Sequence, residues 1–463
     1  MDKMVLGIDV ACRAAHQASL ADDKGRFVWS ARRFRTTSAD LETLWGSLPA
    51  GVELTVVMEP TRNAWVPLSA WFRRRGAKVI VIPSEQSADL RDYYAKHTKS
   101  DRLDSRLLAR VPLLHPEGLR ATEGLGPAEA MRRATKLRSS LVKRRATIVA
   151  RLDSYLELLG PSWHTCFRGD LVHNTPLRFC AAGYADPHTV RRLGRARLTK
   201  FIWRHSHGAH GSAMADAVLE AAAETLRLWG DEIDYGELAD DIAVEARLAL
   251  ELSREIRDLE QRIEAFLDAA DPGGIMMSVP GVATLNGAQI LARLGDPNRF
   301  QSLAGARSFS GLVPSLNSSG LNGRHGSPTK SGDAPLREAL FLAANWARRI
   351  DPTLARRYHR LMVEEGKHHN SALCHISTAL LGRIISCWRA GTPYVIRDLD
   401  GTVLTRQEGR RICEERYAVS AQLRAQRRTT RPREMGTSRR IKESTSAPSI
   451  GSSRAKATTP TRA

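Results

Sequence analysis

The changing period of the apolar pattern over residues 4–82 constrains this chain more than any other feature. Residues 4–10 (MVLGIDV) form a short apolar run, and HQASLAD and RFVWSARRF follow around an Asp-Lys-Gly turn. That spacing predicts three antiparallel strands in a meander. LETLWGSL then reads as a helix, ELTVVMEP as a buried strand, AWVPLSAWFRRRG as a helix closed by Gly76, and KVIVIP as a further strand. Three hairpin strands followed by alternating helix and strand give the order of an RNase H-like α/β domain, expected over residues 1–120.

Two acids mark the ends of strands in this pattern. Asp9 follows Leu6-Gly7-Ile8, and Glu59 follows Leu54-Thr55-Val56-Val57-Met58. A carboxylate closing an apolar strand is costly unless it is paired, hydrogen-bonded or bound to a metal. Asp101 and Asp104 in HTKSDRLDSRLLARV stand at i, i+3, which puts both on one face at the start of a helix. Each has an ordinary alternative, a turn-forming acid for the first two and an N-cap on a solvated face for Asp101. In an RNase H-like fold, however, the first strand, the fourth strand and a late helix converge. Four carboxylates there would hold two divalent cations, Mg²⁺ rather than zinc given all-oxygen ligands, for phosphodiester cleavage or transfer.

The formal charge of +20 favours a polyanionic partner, nucleic acid ahead of a membrane surface, since neutralising phosphates releases counterions. The last 43 residues hold 11 Lys/Arg against 2 Asp/Glu, so about +11 remains on the rest and the basicity is global. No apolar stretch reaches about 18 residues and the N-terminus lacks a signal-peptide pattern, so a cytoplasmic, nucleoid-associated protein is expected, with no membrane partner. The six cysteines are dispersed without a CxxC pair and read as reduced and structural.

Residues 121–274 read as a helical insertion. Within it Ala249, Leu252, Ile256, Leu259, Ile263 and Phe266 recur at 3-4-3-4-3 spacing, a coiled-coil seam or an amphipathic helix packed on its own domain. A third unit, 275–404, opens on Pro280-Gly281-Val282, a turn of helix-hairpin-helix kind whose amides can face a phosphate. It continues through a Gly/Ser-rich polar loop into a strongly helical run from Leu336 to about Trp388. From 405 to 463 the composition turns to Arg, Ser, Thr and Pro, and a basic disordered tail is expected.

GIDVA, VVMEPTRNAW and KSDRLDSRLLA resemble the three acidic blocks of the IS110-family transposases, the bridge-RNA-guided recombinases with a RuvC-like D-E-D-D domain. SVPGVATLNGAQILARLGDPNRF, GLVPSLNSSG, SPTKSGDAPLREALFLAANWA and EGKHHNSAL resemble that family's mostly α-helical C-terminal transposase domain. The resemblance covers roughly residues 4–115 and 275–395. It implies that Asp9, Glu59, Asp101 and Asp104 are the metal ligands and that Ser319 is a nucleophile forming a phosphoserine link to DNA. It also implies a structured guide RNA pairing with donor and target DNA. By itself Ser319 is an ordinary loop serine with Ser318 beside it. Lys330, Arg324 and Arg337 near that loop are candidate phosphate clamps. The seam would serve a dimer or tetramer. Two other readings fit the same acids: a junction-resolving nuclease without a covalent step, and a nonenzymatic nucleic-acid scaffold.

Overall fold

The computed structural model describes residues 2–95, 100–116, 119, 121–122, 126–167, 171, 173–319 and 322–427. The chain forms two compact units, 1–270 and 271–463.

The first unit opens with β1 (Lys3–Asp9), β2 (His16–Asp22) and β3 (Phe27–Phe34), the expected meander. The helix α1 (Ser38–Gly46), β4 (Glu53–Met58), α2 (Trp65–Arg74) and β5 (Lys78–Val81) follow, then α3 (Ser84–Ala95) and α4 (Asp101–Leu114). The sheet order is β3-β2-β1-β4-β5. The pairs β1–β2 and β2–β3 are antiparallel, and β4 joins both β1 and β5 in parallel. This mixed order is the RNase H-like arrangement read from the sequence.

Alternate residues divide the core between two faces. Leu6, Ile8, Val56 and Met58 pack with Leu41 and Leu44 of α1 and Leu68 and Phe72 of α2. Val5, Val57, Ile80 and Ile82 pack on the other face with Leu108 and Val111 of α4. With both faces covered, β4 carries the continuous apolar run typical of a buried parallel strand.

The long helices α5 (Gly126–Leu159) and α10 (Tyr235–Ala270) then pair along their length, with α6 (Ser162–Cys166), α7 (Asn174–Ala181), α8 (Pro187–His205) and α9 (Ser212–Trp229) between them in sequence. Arg138 meets Glu260 at 2.6 Å, Arg145 donates to Ser253 Oγ at 3.2 Å and Arg151 meets Glu245 at 3.1 Å. Residue numbers rise on one helix as they fall on the other, so the pair is antiparallel. Ala249, Ile256, Leu259 and Ile263 of the expected seam are buried, whereas Leu252 and Phe266 are only half-buried and Ser253 and Leu267 are buried in their stead. The seam is therefore satisfied by α5 of the same chain and gives no argument for an oligomer.

The second unit contains α11 (Ile275–Ser278), α12 (Thr284–Leu294), α13 (Leu303–Ser310), β6 (Pro314–Ser319), β7 (Asn322–Pro328), α14 (Ala334–Ala347), α15 (Pro352–His359), a π-helical turn (Arg360–Glu364), α16 (His369–Ala390), α17 (Arg406–Arg416) and α18 (Ala421–Gln426). Its core is built on α14 and α16, with Leu336, Leu340, Ala343, Ile376 and Leu380 buried. At Gly281, φ is +78° and a Cβ would lie 2.1 Å from Ala343 O, so the Pro-Gly turn seats directly on α14. The Val282 N–H donates to Val279 O and the Ala283 N–H to Asn286 Oδ1, so these amides of the expected phosphate turn are already used within the chain.

Two expectations are corrected in this unit. The polar loop is a two-stranded ribbon, with Ser318 opposite Gly323 and Ser319 opposite Asn322. The tail is not unstructured from 405. Thr405 and Glu408 cap α17 reciprocally, Gly409 packs against Ile350 O, and Ile412 and Cys413 are buried. Residues 428–463 lie outside the described residues.

Candidate active site

The paired residues Ile8 and Met58 are the last of the parallel β1–β4 ladder, so Asp9 and Glu59 come next, side by side at the carboxyl ends of adjacent strands roughly 5 Å apart. Both continue the alternation of Val5-Gly7 and Val57, which puts them on the face covered by α4. Ligand sites in open α/β sheets form at this end of the strands.

Gly7 brings α4 down onto that face. A Cβ at Gly7 would stand 2.2 Å from both Ser105 O and Ala109 N, closer than any side chain permits. Beside it, the buried hydroxyls of Ser19 and Ser105 hydrogen-bond at 2.9 Å and tie α4 to β2. At its other end α4 reaches the β2–β3 turn, where Arg110 Nε donates to Gly25 O and the Arg106 and Arg110 guanidiniums lie over Phe27. That turn adjoins the start of β1, because Asp22 pairs with Met4. The helix therefore runs antiparallel to β1, and its first turn, with Asp101 and Asp104, lies toward Asp9.

The N-cap of α4 is Ser100, whose Oγ accepts the Leu103 N–H at 3.3 Å. Asp101 and Asp104 both sit in the first turn, so the capping alternative for Asp101 does not apply. Asp101 is exposed and the other three acids are partly buried.

The neighbouring helix α3 holds two of these carboxylates. The hydroxyl of Ser87 donates to Glu59 Oε1, and Arg91, one turn later, pairs with Asp104 Oδ1 at 3.4 Å. Sequence reasoning assigned no element to this stretch and missed both residues. Ser87 and Arg91 at i, i+4, between the β4 acid and the α4 acids, were the available signal.

Among the described residues no three carboxylate, imidazole or thiol groups stand close enough together to form a metal cluster as they are. The donor set nonetheless fits a hard divalent cation, since every candidate ligand is an oxygen and the site already accommodates the positive charge of Arg91 beside Asp104.

In the second unit, Ser319 closes β6 next to the tip of the ribbon. The side chains of Ser318, Ser319 and Arg324 lie outside what the structure describes. The base of the ribbon is rigidly set. Thr329 N–H donates to Val313 O, Asp333 N–H to Phe309 O, and Gly332 packs on Gly311 so closely that a Cβ would stand 2.6 Å from Gly311 N. Arg337 is occupied there, donating to Ser310 O at 3.1 Å, while Lys330 is exposed. His368 caps α16 and His369 bonds the Tyr358 hydroxyl at 2.7 Å.

Comparison with known proteins identifies the family. A DEDD transposase family model for IS110 elements, described as "Transposase", matches residues 6–161, and the "Transposase IS116/IS110/IS902 family" model matches 274–359. The mini-circle putative transposase for IS117 of Streptomyces coelicolor is 33% identical over 412 residues, covering 82% of this chain and 92% of that protein. The chain belongs to the IS110 family of transposases. A 43.6 kDa protein of insertion element IS110 from the same organism is 26% identical over 85% of this chain and 95% of its own length. The protein of IS900 from Mycobacterium paratuberculosis is 26% identical over 79% and 91%. The transposase is thus a DNA recombinase, and the DEDD match implies dependence on a divalent metal. No helix among the described residues is long and apolar enough to cross a membrane.

Proposed function

We propose that this transposase cuts and rejoins DNA through a covalent link to Ser319, with Asp9, Glu59, Asp101 and Asp104 holding Mg²⁺. The observation that supports the metal half is the approach of α4 at Gly7, which sets the helix carrying Asp101 and Asp104 against the sheet face that ends in Asp9 and Glu59. Bound there, Mg²⁺ would neutralise charge at a scissile phosphate. Asp9 and Glu59 would orient it from the strand ends, and the first turn of α4 would add the other two carboxylates.

Ser319 Oγ would attack phosphorus, forming an O–P bond as the deoxyribose oxygen leaves. The serine proton passes to solvent or a carboxylate, and the leaving oxygen takes one up. Attack by a hydroxyl of the second DNA on the phosphoserine would then reverse the step with the strands exchanged. The nucleophile and the carboxylates belong to different units of the chain. Exchange between two duplexes needs more than one such site, which supports a dimer or tetramer. A structured guide RNA pairing with donor and target DNA belongs to the same reading; it rests on the likeness to bridge-RNA-guided recombinases and on the charge of +20.

The test is strand cleavage of an element-end duplex with Mg²⁺. Asp9→Asn and Ser319→Ala should each abolish it, while Ser318→Ala should retain it. Cleavage by Ser319→Ala would instead favour a RuvC-like nuclease without a covalent step, and no Mg²⁺-dependent cleavage by the unaltered chain would favour the scaffold.

A further inference from the structure

Two clefts in the second unit share Thr353, at the start of α15. One, of 490 Å³, is bordered by Arg307 of α13 and Arg383 of α16. The other, of 310 Å³, is bordered by Arg356 and Arg357 of α15 and by Arg360 of the π-helical turn. With Arg397, which also borders the first cleft and donates to Gly401 O at 3.0 Å, six guanidiniums border these two clefts.

Part of this charge has a structural explanation. Arg383 donates to Asp351 Oδ2 at 3.0 Å and to Thr353 Oγ1 at 2.6 Å, and Asp351, buried, also receives the Tyr394 hydroxyl and caps α15 through the Leu354 N–H. Arg356 pairs with Glu364 at 2.6 Å and Arg360 with Glu365 at 3.1 Å. Arg307 and Arg357 are not accounted for in this way. Among the described residues neither guanidinium has an acidic partner within ion-pair distance, and Arg307 Nε is buried without a hydrogen-bond acceptor. Although Arg357 reaches solvent, partial burial first, then the positive charges of Arg360, Arg383 and Arg307, pull it below the usual guanidinium range against the opposing charge of Glu365, so these guanidiniums stand close enough to repel one another. The arginines here outnumber the acids Asp351, Glu364 and Glu365, so an anion would relieve the excess positive charge, and the planar donors of arginine match the oxygens of a phosphodiester.

We propose that Arg307, Arg357 and Arg360 form a seat for successive backbone phosphates of DNA. Guanidinium contacts to phosphates carry no sequence information, so the seat would position the duplex without specifying sequence. It lies outside the four carboxylates and Ser319, and it rests only on the chain acting on DNA.

The test is fluorescence anisotropy of a labelled duplex of about 30 base pairs with the full chain, from 50 to 200 mM salt. Each phosphate contact contributes roughly 0.9 to the slope of log K against log salt, so the Arg307→Gln/Arg357→Gln/Arg360→Gln variant should lower that slope by about 2 to 3. A control removing three exposed arginines of the same unit, Arg349→Gln/Arg410→Gln/Arg411→Gln, should lower it by less than about 1. Arg357→Gln alone, at an exposed position, should lower it by about 1 and serves if the triple variant melts early. Equal slopes for the two triple variants would overturn the seat, as would a loss confined to structured RNA. Asp9→Asn should leave the slope unchanged while abolishing cleavage, so failure of the seat and failure of the carboxylate reading are told apart.

Discussion

Replacing Gly7 by alanine adds one methyl group at the contact that seats α4, the helix of Asp101 and Asp104, on the sheet face that ends in Asp9 and Glu59. The new Cβ would lie 2.2 Å from Ser105 O and Ala109 N and 2.8 Å from Leu108 C, all backbone atoms of α4. No rotamer change relieves such a clash, so α4 must retreat by roughly 1 Å, and overpacking of this kind costs about 3 kcal/mol. For a unit of this size that is a fall of roughly 6–12 °C in Tm. The retreat also separates Asp101 and Asp104 from Asp9 and Glu59, and a displacement near 1 Å costs about 100-fold in rate. Calorimetry and a single-turnover cleavage assay would measure the two effects, with duplex affinity unchanged. Gly46→Ala is the control: it lies in α1 with nothing within 4 Å of its Cβ, and should be neutral or stabilising by up to about 1 kcal/mol. A Gly7→Ala protein with unaltered melting and unaltered cleavage would refute the claim that this contact assembles the site.

Arg91→Gln removes the cation beside the partly buried Asp104, and should lower Tm in metal-free buffer and regain more of it than the unaltered chain does on adding Mg²⁺, because a bound ion takes over the charge. Equal Mg²⁺ increments in both proteins would contradict this. His16 is buried, accepts the Ala11 N–H at Nδ1 and bonds Thr36 through Nε2, so the fold holds it neutral, and burial lowers its pKa from the usual 6.5. The unfolded chain then binds more protons, so the stability His16 contributes is present above pH 6.5 and is lost as pH falls through 6.5 toward the depressed value. Melting of His16→Gln across pH 5–8 should show a weaker acid dependence; an unchanged profile would place the effect elsewhere.

The first unit was legible because its two periods are strong. Short apolar runs in β1, β4 and β5, with β2 and β3 set off by the turn between them, mark the strands, the two-residue period along each fixes which residues face α1 and α2 and which face α4, and the order of elements then sets the sheet. Asp9 and Glu59 were legible for the same reason, as polar ends to apolar strands. The helix α3 was not, since SEQSADLRDYYA has little apolar periodicity and its hold on the acids is a matter of two side chains. The ribbon β6–β7 was missed because Pro314–Ser319 and Asn322–Pro328 lack alternation, and backbone pairing alone leaves no mark in hydropathy. The helix α17 was hidden by its charge, although Thr405-x-x-Glu408 is a capping box visible in the sequence. The seam of α10 showed that a long partner helix exists without showing that α5 of the same chain supplies it.

The central claim is that Ser319 becomes bonded to DNA. A suicide duplex carrying the element end, nicked so that religation is lost, should trap a Mg²⁺-dependent protein–DNA adduct. After digestion of both components, mass spectrometry should find the residual nucleotide on Ser319 and on no other residue, with the adduct absent from Asp9→Asn. Strand cleavage with no adduct, or an adduct mapped to Ser318 or another side chain, would contradict the account.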